Sequence, residues 1–172
     1  MVKTLAVFVF ACILPIHSAW GPELTGPQQM GWVTESTVLL IKHFEGKRHK
    51  AYQDSQGNWT IGVGHLIKHK DHHLLHTELT EQEVMGILHR DLKVCSQALQ
   101  NVLQVDLKRS QIDALYSLCH NIGPDNFKKS EVVKHLNKGE TEKAANAFMN
   151  WSRPEVLKNR RQAEKALFLK DI

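Results

Sequence analysis

Between Ala51 and His65 the chain abandons the spacing that precedes and follows it. Upstream, Val38, Leu40, Ile41 and Phe44 recur with the period of a helix, and Thr34 and Gly46 stand where a cap and a stop belong. In Ala51-Tyr-Gln-Asp-Ser-Gln-Gly-Asn-Trp-Thr-Ile-Gly-Val-Gly-His65, strand formers flank the turn residues Asp54-Ser-Gln-Gly57, the pattern of a small β-hairpin or meander. Downstream, residues 68–79 form a His-rich connection, and Thr80-Glu-Gln-Glu83 is a capping box. It opens a long helix with Val84, Ile87, Leu88, Leu92, Cys95 and Leu99 at helical spacing. Further helices are expected from Ser110 to Gly123-Pro124, from Ser130 to Lys138 before Gly139, and from Thr141 to Trp151. Pro154 suits the first turn of the last one. The predicted class is α+β: a small strand lobe, then a mainly helical lobe.

The first 19 residues lie outside this scheme. Lys3, the apolar run Leu5–Ile16 and the small residues Ser18-Ala19 describe a secretory signal peptide. The run is shorter than the roughly 20 apolar residues of a spanning helix. A retained signal anchor is the competing reading. Residues 20–32, with Gly21, Pro22, Gly26 and Pro27, form an irregular lead-in, and 33–172 form the folded domain. Secretion implies an extracellular protein with no stable membrane anchor after cleavage.

Lys3 is the only formally charged residue removed, so the formal charge falls from +4 to +3. That charge favours anionic surfaces and carries no nucleic-acid signature. Cys12 leaves with the signal, so Cys95 and Cys119 are either a disulfide pair or two buried thiols. Asn58-Trp-Thr60 and Asn150-Trp-Ser152 are glycosylation sequons in a eukaryotic host, and a glycan on Asn58 would stand two residues from Thr60.

The segments Phe44-Glu-Gly46, Ala51-Tyr-Gln-Asp54 and Gly57-Asn-Trp-Thr-Ile-Gly-Val-Gly-His65 resemble the phage lysozyme and endolysin family, glycoside hydrolase family 24. So do Asp113-Ala-Leu115, Asn121-Ile-Gly123, Phe127, Ser130, Leu136-Asn137 and Arg160-Arg-Gln-Ala-Glu-Lys-Ala-Leu-Phe168, in the same order. The resemblance implies a two-lobed lysozyme fold with the long helix joining the lobes. It also implies a monomeric, cofactor-free muramidase cutting the β-1,4 bond between N-acetylmuramic acid and N-acetylglucosamine in bacterial peptidoglycan. Defence, digestion of bacteria and release of phage from a cell all remain open as its role, and a signal peptide favours a secreted one.

Glycoside cleavage needs a proton donor and a group that activates water. Glu45 ends its helix, where the macrodipole raises a carboxyl pKa as a general acid requires. By the resemblance, Arg160 approaches Glu45 and lowers it again, leaving the net direction open. Asp54 and Thr60 would hold and deprotonate the water, although Asp at such a turn often only bonds its own backbone. The resemblance implies inversion, with carboxyl groups about 6.5–9.5 Å apart. It also carries over Leu66, His120, Asn121 and Ser130 as substrate-binding positions. His120 departs from the apolar or aromatic residue expected there, and Ser130 is equally well a helix cap.

Other residues read more blandly. Gly57, Gly62 and Gly64 serve turns and close packing, and Trp59 serves cross-strand packing ahead of sugar stacking. His65 is a structural histidine awaiting an acid, and Ser55 has no triad partners. His65, His69, His72, His73 and His76 invite a metal reading, but without a zinc motif they are taken as a solvated linker and no metal is expected. A wall-binding module without activity and a lytic transglycosylase are the remaining rivals.

Overall fold

The computed structural model describes residues 33–172 except Ser55; the expected signal peptide and lead-in lie outside the described residues. Helix α1 (Glu35–Glu45) begins at Thr34, whose hydroxyl accepts from the Thr37 amide at 3.2 Å, and stops at Gly46 with φ +70°. Strands β1 (Arg48–Gln53), β2 (Trp59–Gly62) and β3 (His65–Leu66) form one antiparallel sheet in sequential order. Tyr52 pairs with Thr60 and Gln53 with Trp59, while Thr60 pairs with Leu66 on its other side. Thr60 is therefore on the central strand.

Residues His69–His76 wind into a 3-10 helix, closed where the Thr77 amide donates to Leu74 O. Helix α2 (Glu81–Val102) then starts on the expected capping box, with both reciprocal bonds made between Thr80 and Glu83. All six residues of its predicted apolar stripe are buried, from Val84 to Leu99. Val84 faces the sheet at Gly62, and α2 packs further along on α3 and α4, so this one helix bridges the two lobes.

Helix α3 (Arg109–Ile122) begins just ahead of the predicted Ser110. The Lys108 amide donates to Gln111 Oε1 at 2.8 Å, an opening that Ser110 does not supply. Gly123 ends it with φ +83°. Helix α4 (Pro124–Lys129) was not foreseen: Pro124 is a stop for α3 and also a permitted first residue of a new helix. Helix α5 (Glu131–Leu136) follows, and α6 (Thr141–Ala147) ends early, its Ala-rich run tightening into a 3-10 turn over Phe148–Trp151. Pro154 does not enter the last helix. It precedes a 3-10 turn at Glu155–Leu157, and α7 (Lys158–Leu169) starts beyond it.

One hydrophobic core runs from Ile61 and Val63 of the sheet lobe to Phe148 and Phe168 of the helical lobe. Helix α1 precedes the sheet in sequence yet packs on α3. The hydroxyls of Thr37 and Thr34 donate to the buried Asp113 of α3 at 2.6 and 3.1 Å, fastening the start of α1 to the second lobe.

Cys95 and Cys119 are joined as a disulfide between α2 and α3, with Cα atoms 5.9 Å apart. The bond closes a loop of 24 residues. In the chain-entropy account such a loop contributes about 3–4 kcal/mol. Double replacement of Cys95 and Cys119 by Ala should lower the urea midpoint accordingly, and an unchanged midpoint would show the link to be dispensable.

Candidate active site

A cleft of about 770 Å³ lies between the sheet and the helical lobe. Glu45, Asp54 and Thr60 all line it. Each arrives by a different local rule: a helix stop, a turn and a central strand.

Glu45 is the last residue of α1, 18 % exposed at its side chain. Oε1 accepts from Arg160 Nη1 at 2.5 Å. His120 Nδ1 stands 3.5 Å from the same oxygen, an ion-pair distance beyond ordinary hydrogen bonding, and has no hydrogen-bond partner. Burial pushes the Glu45 carboxyl up, but His120 and Arg160 outweigh it and hold the group at about 2. The closer Arg160 contact is the firmer of the two. The direction left open by the sequence is therefore downward, and Glu45 rests ionised.

Arg160 cannot follow Glu45 freely. It is 3 % exposed, its Nε donates to Glu164 Oε1 at 3.0 Å, and its Nη2 donates to Ser117 O at 3.1 Å. Glu164 Oε1 also accepts from Ser117 Oγ at 2.6 Å and from Arg161 Nη2 at 2.9 Å. Burial pushes Glu164 up against the pull of both arginines, and it draws Arg161 down to about 10 despite Glu164. This buried cluster fixes the guanidinium that fixes Glu45.

Gly64 closes the other side. Its φ is +72°, and a Cβ there would sit 2.8 Å from Glu45 Oε2 and 2.9 Å from Glu45 Cδ. The bare backbone is what leaves room for the carboxylate. Replacing Gly64 by Ala should therefore displace Glu45 and lower turnover on the order of a hundredfold, the cost of misplacing a reacting group by about 1 Å. Retained activity in a variant with wild-type circular dichroism would contradict this.

Asp54 holds the hairpin turn. Its Oδ1 accepts from the amides of Gln56 and Asn58, both at 2.8 Å, and its Oδ2 from Asn58 Nδ2 at 3.2 Å. Its slight burial pushes the carboxyl up, but the Asn58 and Gln56 donors hold it below its ordinary value. The turn role and a position on the cleft wall coincide in one side chain. Thr60 is 5 % exposed, and its hydroxyl donates to Asn58 O at 3.3 Å.

Leu66, His120 and Asn121 line the cleft. Ser130 does not. It caps α5, accepting from the Val133 amide at 3.3 Å and donating to Phe127 O at 2.8 Å, and it is buried away from the cleft wall. The cap uses its hydroxyl in both directions, as the helix-cap reading has it. Trp59 lies opposite Gln53, 45 % exposed and off the cleft wall. The acid awaited by His65 is Asp91 of α2, at 2.9 Å from Nδ1, with Asp71 3.8 Å from Nε2. His69 and His72 stack at 6.0 Å, and among the described residues no three His, Cys, Asp or Glu side chains converge to hold a metal ion. Asn58 and Asn150 are both exposed.

Sequence reasoning missed Tyr52 on the near wall and Trp151, Arg153 and Val156 on the far rim. Burial raises the Tyr52 hydroxyl, and the Glu45 charge adds to it. Tyr52 carries a readable signal, since it stands two residues before Asp54 on the strand that pairs with Thr60. The rim residues carry none, because their position depends on where α7 docks.

Residues 42–164 match the family described as Phage lysozyme. This chain belongs to the phage lysozyme family. The endolysin of Acyrthosiphon pisum secondary endosymbiont phage 1 is 38 % identical over 146 residues, covering 79 % of this chain and 97 % of the relative. The endolysin of Salmonella phage P22 is 37 % identical, covering 80 % and 97 %. Among solved structures, the muramidase domain of SpmX from Asticaccaulis excentricus superposes with a TM-score of 0.70 at 35 % identity, over 80 % of this chain and 97 % of that one. The two-lobed lysozyme fold is thus that of the phage lysozymes, and the protein is a glycoside hydrolase of the lysozyme type.

Proposed function

We propose that this peptidoglycan-degrading lysozyme hydrolyses the β-1,4 bond between N-acetylmuramic acid and N-acetylglucosamine with inversion. Glu45 gives a proton to the departing oxygen, and Asp54 with Thr60 holds and deprotonates the attacking water. The observation that carries this reading is that the Arg160-bound carboxyl of Glu45 opens on the same cleft as Asp54 and Thr60. Leu66 and Asn121 are the wall residues available to the glycan. The ionised resting state of Glu45 means that its proton must be acquired in the enzyme–substrate complex, where displaced water strengthens the burial effect that already opposes the charge.

Clearing of purified peptidoglycan, followed by anomeric analysis of fresh products, tests the reading. Inversion of a β bond yields the α anomer first. A β anomer would replace the water mechanism by a covalent one, and anhydro sugars would replace hydrolysis by transglycosylation.

Secretion, a bacteriolytic role in defence or digestion, and a monomeric state complete the proposal. The apolar run Leu5–Ile16 with Ser18-Ala19 supports export, and among the described residues no helix is long and apolar enough to cross a membrane. Amino-terminal sequencing of protein recovered from the medium distinguishes cleavage near Ala19 from a retained anchor.

A further inference from the structure

His120 is a polar residue on the cleft wall, beside Glu45, whose placement the catalytic scheme does not use. Its side chain is 4 % exposed, and Nδ1 is buried without a hydrogen-bond partner, a costly state for a ring nitrogen. Nδ1 lies 3.5 Å from Glu45 Oε1. Arg160 already grips that oxygen and is itself anchored by Glu164 and Ser117, so His120 is not needed to hold Glu45 in place. What the ring adds, and a guanidinium does not, is a proton that leaves near neutral pH.

The charged groups of the packed elements leave Glu45 as its partner. From α1 comes Glu45, and from α7 comes Arg160 with Glu164 behind it. From α2, Asp91 is bound to His65 and Cys95 is bonded to Cys119. From α4, Asp125 pairs with Lys128 at 3.6 Å and is exposed.

We propose that His120 and Glu45 form a one-proton couple in which the imidazole stores the proton that Glu45 delivers to the glycosidic oxygen. The proposal rests on Glu45 being the proton donor. The couple has two states with the same proton count, imidazolium beside carboxylate and imidazole beside carboxylic acid. The carboxylate of the first state agrees with the depressed Glu45 carboxyl. The second does the chemistry: the acid's proton goes to the leaving oxygen as the glycosidic bond breaks, and the water's proton goes to Asp54 as its oxygen bonds the anomeric carbon. Asp54 then returns its proton to solvent, and solvent recharges the couple. Because both states hold one proton, the fraction in the working state stays constant until the pair loses that proton. The alkaline limb of activity therefore belongs to the pair and lies above the range of an isolated carboxyl.

The test is the pH dependence of peptidoglycan lysis for wild type, His120→Phe, His120→Gln and Glu45→Gln, each first checked by circular dichroism. Wild type should stay level up to the histidine range. In both His120 variants, activity relative to each variant's own maximum should already fall through that range by about tenfold per pH unit, shifting the limb at least about one unit towards acid. An unmoved limb, or an equal loss at every pH, overturns the couple. A wild-type limb already in the carboxylate range overturns it with no variant at all. Lysis surviving in Glu45→Gln would instead remove Glu45 as the donor, a distinct outcome.

Discussion

Glu45→Gln is expected to leave the fold and wall binding intact while lysis falls by between about a hundred- and ten-thousand-fold, the usual worth of a positioned proton donor. Gln keeps the length and the oxygen that Arg160 grips, so the loss reports the missing proton and not a rearranged cleft. Pelleting with purified walls measures the binding, and turbidity measures the lysis. Lysis at a tenth of wild type or better would remove Glu45 from the chemistry. The same variant has a second signature in stability. The Glu45 carboxyl is lowered from 4.5 to about 2, so the folded state binds this proton more weakly than the unfolded chain. Its ionised form stabilises the fold fully above pH 4.5, and that contribution disappears as pH falls towards 2. The unfolding midpoint of wild type should drop more steeply across that window than that of Glu45→Gln.

The largest loss of stability is expected from Glu164→Ala. Glu164 and Arg161 are both 0 % exposed, and Arg160 is 3 % exposed. Removing the carboxylate leaves two buried guanidiniums without their shared counter-charge, and breaking such a pair from one side costs about 3–5 kcal/mol. The damage should reach the active site too, because Arg160 loses the Nε anchor that aims it at Glu45. Urea unfolding measures the first effect. A midpoint within error of wild type would mean that the cluster relaxes at little cost. Glu164→Gln separates charge from volume: it fills the same space, and a comparable loss would assign the effect to electrostatics.

How much of this was legible depended on how local each cause was. The Thr80–Glu83 capping box, the Thr34 cap and the apolar stripe of α2 are written within a few residues, and they appear where the pattern places them. Glu45, Asp54 and Thr60 were readable because a helix stop and a hairpin fix them within 15 residues of one another. Ser130 shows the limit of resemblance: the residue matches in order, yet a six-residue helix uses its hydroxyl as a cap. Helix α4 was missed because Gly123-Pro124 reads as an end, although proline also begins helices. Glu164 stands four residues from Arg160 on α7, a helical spacing that the sequence offered and that went unread, whereas Ser117 and Asp91 were beyond reach, since they meet Arg160 and His65 only through packing between elements distant in sequence.

The bond from Arg160 to Glu45 spans 115 residues. A ribosome releases the hairpin with its carboxylates long before it releases the guanidinium. A nascent fragment ending ahead of Lys158 therefore carries the cutting residues without the electrostatic setting that defines them, and competence arrives with the docking of α7. For an agent that destroys walls, this arrangement delays potency until α7 has emerged.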